Sequence, residues 1–218
     1  MARISYAYIE KNKWHLIEVI AVFLLGISKF MIGDLMDSKF YFITTGIIFW
    51  VGFIILRCSL EPALLEKWGF TSQNVLKSLR IIVPITLISV SGCILYGKFF
   101  ANPVINWNLL IVFILYPLWG VIQQFLITVL LVGNLDRITR GILPRYLIVL
   151  TGAIIFALVH LPEIQLVLIT FFMGIITISI FLTYGNIWTI GFFHGWFATF
   201  IYYFGLGRDP LREILLSL

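Results

Sequence analysis

From Ile164 to Tyr184 no side chain carries a formal charge, and the same is true from Asn108 to Val132. A helix needs about 20 consecutive apolar residues to cross the hydrocarbon of a bilayer. Lipid offers no water to backbone N–H and C=O groups, so such runs close their hydrogen bonds internally, as helices in a bundle. Composition agrees: of 218 residues 61% are hydrophobic and 11% charged, and the mean hydropathy is +1.06, far from the averages of soluble domains. The expected fold is all-α, a multi-pass transmembrane bundle that takes up residues 1–218 as one membrane domain.

Hydropathy places seven spans, at 15–33, 40–57, 81–97, 108–132, 145–161, 164–184 and 187–206. Positive residues near span ends stay on the cytoplasmic side. With the N-terminus inside, the cytoplasmic segments hold Arg3, Lys11, Lys13, Arg57, Lys67, Lys77, Arg80, Arg137, Arg140 and Arg145. The outer segments hold only Lys39, Lys98, Arg208 and Arg212. A cytoplasmic N-terminus and an outer C-terminus follow. The first span has no small-residue cleavage site and reads as a retained helix; the expected location is the cell (inner) membrane.

The net charge of +5 is therefore a topology signal, and with no basic run interleaved with aromatics outside the spans, nucleic acid is not an expected partner. Cys58 and Cys93 lack CxxC spacing and sit at or inside spans, as packing residues do. No HExxH, GxSxG or glycine-rich phosphate loop occurs, so zinc peptidase, serine hydrolase and nucleotide-binding chemistry have no motif here. Neither a metal nor a cofactor is expected.

The longest loop, about 58–80, interleaves Leu64, Leu65, Trp68 and Phe70 with Glu66, Lys67, Lys77 and Arg80. That pattern suits a segment lying at the headgroups. The polar motifs all fall later, so residues 1–107 read as scaffold spans and 108–206 as the functional core.

Polar groups inside a bilayer are costly and mark function by default. In the fourth span Gln123 and Gln124 are adjacent, about 100° apart, and Thr128 shares the face of Gln124. Pro117 lies in the same span, where a kink would open space near the glutamines. The fifth span carries Ala153 and Ala157 at small-xxx-small spacing, then Phe156 one turn before His160. Glu163, past Pro162, stands where it could pair with His160. The seventh span places His194 between Gly191 and Gly195, a GxxxG spacing, with Ala198 one turn on.

In this order the motifs Gln-Gln-x-x-x-Thr, Phe-x-x-x-His and His-x-x-x-Ala resemble those of the CAAX protease and bacteriocin-processing (CPBP) family, which includes the type II CAAX prenyl endopeptidases. The similarity covers about residues 108–206. The family pattern is Glu-Glu-x-x-x-Arg, Phe-x-x-x-His and His-x-x-x-Asn. The resemblance implies a water activated by the first glutamate and a histidine, with the other histidine and the asparagine stabilising the oxyanion. Carried over by position, the catalytic places fall on Gln123, Gln124, His160 and His194, with Phe156 kept, Thr128 at the arginine and Ala198 at the asparagine.

An amide has no useful basicity near neutral pH and cannot replace a glutamate as general base. Loss of an oxyanion donor costs a further ~10² to 10³ in rate in other enzymes. The expected function is a proteolytically impaired, CPBP-like binding or assembly factor. Its partners are membrane lipids and a membrane-protein partner or peptide substrate. Two alternatives are an active CAAX-type endopeptidase using His160, His194 and Glu163 in a rearranged site, and a small transporter with Glu18 and Lys29 along its path.

Overall fold

The computed structural model describes residues 6–34, 39–139 and 142–216. Arg3 and Arg140, both counted in the charge asymmetry, lie outside the described residues. Among these the regular structure is all helix, with no strand. Helix α1 (Tyr6–Ser28) passes into a π-helical stretch (Lys29–Asp34), and α2 (Lys39–Leu60) is followed by the short α3 (Leu64–Lys67) and by α4 (Val75–Phe100). Helix α5 (Trp107–Gln124) runs on without a break through a π-helix (Phe125–Gly133) into α6 (Asn134–Ile138). Next come α7 (Arg145–Leu158), α8 (Ile164–Tyr184), α9 (Ile187–Phe200) with a π-helical end (Ile201–Gly205), and α10 (Pro210–Leu216).

Five segments are long and apolar enough to cross a membrane: Asn12–Met31, Tyr41–Leu60, Val75–Phe100, Trp107–Ile138 and Ile164–Tyr184. The all-α membrane bundle expected from the sequence is thus the fold found. The two remaining expected spans differ from these. Helix α7 has 14 residues, only about 21 Å at 1.5 Å per residue, and α9 continues in a π-helix to Gly205.

The closest helix pair is α5 with α9, and glycines explain it. A Cβ on Gly120 would lie 2.3 Å from the Gly191 carbonyl oxygen, and one on Gly195 would lie 2.4 Å from the backbone of Pro117. The GxxxG of α9 is therefore a backbone-to-backbone contact surface. Pro117, where a kink was expected, meets the backbone of α9. It is buried inside α5 and Gly195 fills the position against it, because a residue without a side chain can approach a proline that offers no N–H to satisfy.

The loop expected at the headgroups is anchored inward. Trp68 is buried and meets Phe125 edge-on at 5.0 Å. The Asn186 side chain donates to the carbonyls of Thr71 (2.7 Å) and Gln73 (3.1 Å), and Gly69 takes φ +87° against Gly185. Leu65 and Leu76 remain exposed.

Two polar clusters tie the first helices and the C-terminus to the rest. At one end, Arg57 Nε donates to Glu18 Oε1 at 2.9 Å and Asn134 Nδ2 to Glu18 Oε2 at 2.6 Å, with the guanidinium over Trp14. Glu18 is 1% exposed; it does not snorkel to water from the span end, because Arg57 and Asn134 satisfy it inside. At the other end, Asp209 accepts from Asn106 (2.8 Å), Asn108 (2.7 Å), Tyr203 (2.9 Å) and the Arg212 backbone (3.1 Å). Beside it Arg208 pairs with Glu163 and Glu213.

Candidate functional site

Two buried side chains from the tightest helix pair meet at the centre. Gln124 Nε2 lies 3.0 Å from His194 Nδ1, and the residues are 0% and 3% exposed. An amide nitrogen can only donate, so Nδ1 accepts and the ring proton sits on Nε2. The contact exists because Gly120, Gly191 and Gly195 let α5 and α9 touch one turn away. Gln124 Oε1 is buried and accepts no hydrogen bond from the described residues, which leaves an unfilled acceptor at the centre of the site.

Thr128 is turned away from this centre. Its hydroxyl donates to the Gln124 carbonyl at 2.6 Å, back along its own helix. The π-helix begins at Phe125, immediately after Gln124, and such stretches are frequent at functional sites. The half-buried Gln123 side chain makes no hydrogen bond with a described residue. The adjacent amides thus have different surroundings.

Phe156 brings in the second histidine. Its ring lies 5.2 Å from His160 at 88° and 5.5 Å from His194 at 66°, so the two imidazoles flank one buried aromatic edge to face. The Phe156 carbonyl accepts from His160 Nδ1 at 2.8 Å, which fixes that ring's tautomer and leaves Nε2 as an acceptor. Phe156 is placed by Gly174 on α8, against which Ala153 and Phe156 pack. His160, distant in depth from the glutamines by the expected span ends, therefore lies one ring away from the Gln124–His194 pair. The turn after α7 carries it back over the core.

Glu163 does not pair with His160. Its backbone N–H donates to the His160 carbonyl at 3.1 Å, while its carboxylate meets Arg208 at 2.7 Å. Proline at 162 ends helical geometry, and Arg208 outcompetes a neutral imidazole for the carboxylate. Ala198 lies one turn beyond His194, half-buried, and offers no side-chain donor.

Lys29 is a site neighbour that sequence reasoning did not place. Its Nζ donates to the Leu161 carbonyl at 2.8 Å, next to His160, from a helix outside the core region. Only its charge inside a span hinted at this. Among the described residues no group of three or more His, Cys, Asp or Glu could hold a metal ion.

Residues 105–200 match the family model described as Type II CAAX prenyl endopeptidase Rce1-like. No curated protein and no solved structure matches the chain. The matched residues include α5 with Gln123 and Gln124, α7 with Phe156, the turn with His160, and α9 with His194 and Ala198. This stretch, from α5 through α9, is thus similar to the Rce1-like family, in agreement with the CPBP-like order of the motifs.

Proposed function

We propose that this protein is a proteolytically impaired member of its family that binds a membrane-embedded peptide or partner segment without cleaving it. The observation that carries the reading is the buried hydrogen bond between Gln124 and His194. By position the resemblance puts the water-activating glutamate at Gln123 and its neighbour at Gln124, and both are amides. Gln124 holds the imidazole of His194, but neither amide accepts a proton from an attacking water near neutral pH. Thr128 spends its hydroxyl on its own helix and Ala198 has no donor for an oxyanion.

The same geometry suits binding. Gln124 Oε1 is an unfilled acceptor, and a peptide N–H entering beside His194 satisfies it. An unmade bond at a buried acceptor costs about 1–3 kcal/mol, so a ligand that makes it gains that much. Supporting the assembly role, the domain is braced by Glu18, Arg57 and Lys29 from helices outside the matched region.

The test uses the purified protein in lipid vesicles with a fluorogenic prenylated CAAX peptide, with binding and turnover followed on the same sample. The expected result is saturable binding without turnover, weakened in His194→Phe. Turnover by the unmodified protein that disappears in both His160→Ala and His194→Ala overturns the reading and establishes an active endopeptidase.

A further inference from the structure

His160 sits on the turn 159–163 that joins α7 to α8. Inside the turn the bonds are short-range: the His160 N–H donates to the Ala157 carbonyl (2.9 Å), Leu161 N–H to Leu158 (3.1 Å) and Glu163 N–H to His160 (3.1 Å). Bonds to the residue three places back have poorer geometry than those of an α-helix. They fix the local shape and leave the turn's place against the bundle to other contacts. Among the described residues two hydrogen bonds tie it to elements other than α7 and α8. Lys29 Nζ donates to the Leu161 carbonyl at 2.8 Å, and Arg208 Nη1 donates to Glu163 Oε1 at 2.7 Å. The anchors stand on either side of Pro162, the first of them on the residue next to His160.

Both cations lie outside residues 105–200, the stretch that matches the family model. Lys29 follows α1, which runs beside the turn: a Cβ on Gly26 would lie 3.6 Å from Val159. Arg208 is presented by a firmly held segment. Gly207 takes φ +62°, where a Cβ would meet the Asn102 carbonyl at 2.6 Å, the Arg208 N–H donates to the Tyr202 carbonyl at 2.9 Å, and Asp209 accepts four hydrogen bonds. Arg208 Nε and Nη2 donate to the two oxygens of Glu213 at 2.6 and 2.8 Å, and the rigid fork of the guanidinium then aims Nη1 at Glu163. We propose that Lys29 and Arg208 are positioning residues for His160: they clip its turn from two sides and hold the imidazole against Phe156, one ring from His194. The inference rests on His160 belonging to the site and holds whether that site binds or cleaves.

The test measures how fast diethyl pyrocarbonate, which acylates an unprotonated imidazole nitrogen, modifies each histidine of the full chain in phosphatidylcholine nanodiscs, read by peptide mass spectrometry. His160 offers Nε2, since its Nδ1 donates to the Phe156 carbonyl, and His15 on α1 reports on the rest of the fold. Glu163→Gln removes one anchor and leaves Arg208 with Glu213. It should speed modification of His160 about two- to fivefold, the effect of one partly exposed ion pair, with His15 unchanged. Arg208→Lys keeps a cation within reach of Glu163 and should stay near the unmodified rate. Lys29→Met should also speed His160, and combined with Glu163→Gln the two effects should multiply, as for independent anchors. No ligand enters this measurement, so its failure is distinct from a failure of the peptide-binding test. An unchanged His160 rate in either Glu163→Gln or Lys29→Met, or a rise at His15 as large as that at His160, overturns the proposal.

Discussion

Gln124 and His194, 70 positions apart, share a hydrogen bond of 3.0 Å at the point where α5 and α9 touch through glycine. The bond is buried and neutral, and its two ends depend on each other. Gln124→Leu leaves His194 Nδ1 unpaired and should lower stability by about 1–3 kcal/mol, while Gln124→Leu with His194→Phe should cost less than the sum of the two singles. Thermal unfolding in detergent measures all three variants. Additive losses would falsify the pairing.

The glycines of the α5–α9 contact should be intolerant where others are not. Gly120→Ala drives a methyl into the Gly191 carbonyl at 2.3 Å, backbone against backbone, and should destabilise by about 1–3 kcal/mol or more. A methyl added at Gly92 on α4 would meet nothing within 4 Å. Gly92→Ala should be neutral or raise stability by up to ~1 kcal/mol through helix propensity. The comparison is read from melting midpoints of the two variants under one detergent condition.

The Glu18–Arg57 pair joins the N-terminal helices to Asn134 and so to the region that matches the Rce1-like model. Glu18→Ala strands a buried guanidinium and should cost about 3–5 kcal/mol, whereas Glu18→Leu with Arg57→Met should recover much of that loss. Protease accessibility of the α1–α2 segment in membranes provides the readout. A double variant as unstable as the single one would show that packing, not charge, dominates there.

Asp209 sets an acid limit on the C-terminal end. Burial pushes its carboxyl up, but the Arg212 backbone N–H and the Asn106, Asn108 and Tyr203 donors outweigh burial and hold it below the usual range. A folded pKa beneath the unfolded value of about 3.9 means that its stabilisation is fully present above that pH. The stabilisation is lost as pH falls through the lower folded value. Melting temperature should therefore drop on acidification below about pH 4. Asp209→Asn should start lower and show a shallower drop, as measured across a pH series.

Much of the architecture is legible because hydropathy is local. The expected span 164–184 coincides with α8, and 40–57 and 187–206 lie close to α2 and to α9 with its π-helical end. Each depends on a continuous apolar run that is its own signal. Glu18 and Lys29 are less legible, since a charge inside a span predicts some partner without naming it. Arg57 lies 39 residues from Glu18, and the Leu161 carbonyl lies 132 from Lys29. The packing of Pro117 is less legible for a related reason: the residue against it, Gly195, lies on another helix.

The amino-acid order alone determined that the chain is a membrane helix bundle and that Gln-Gln, Phe-x-x-x-His and the second histidine form a family series, because apolar runs and short motifs are properties of neighbouring residues. Which of the two glutamines meets His194 was decided only by tertiary structure. Adjacent positions on a helix point about 100° apart, so Gln124 turns to His194 while Gln123 makes no such bond. The place of His160 was decided in the same way, by a turn and one phenylalanine ring that bring it beside a histidine 34 residues further along the chain.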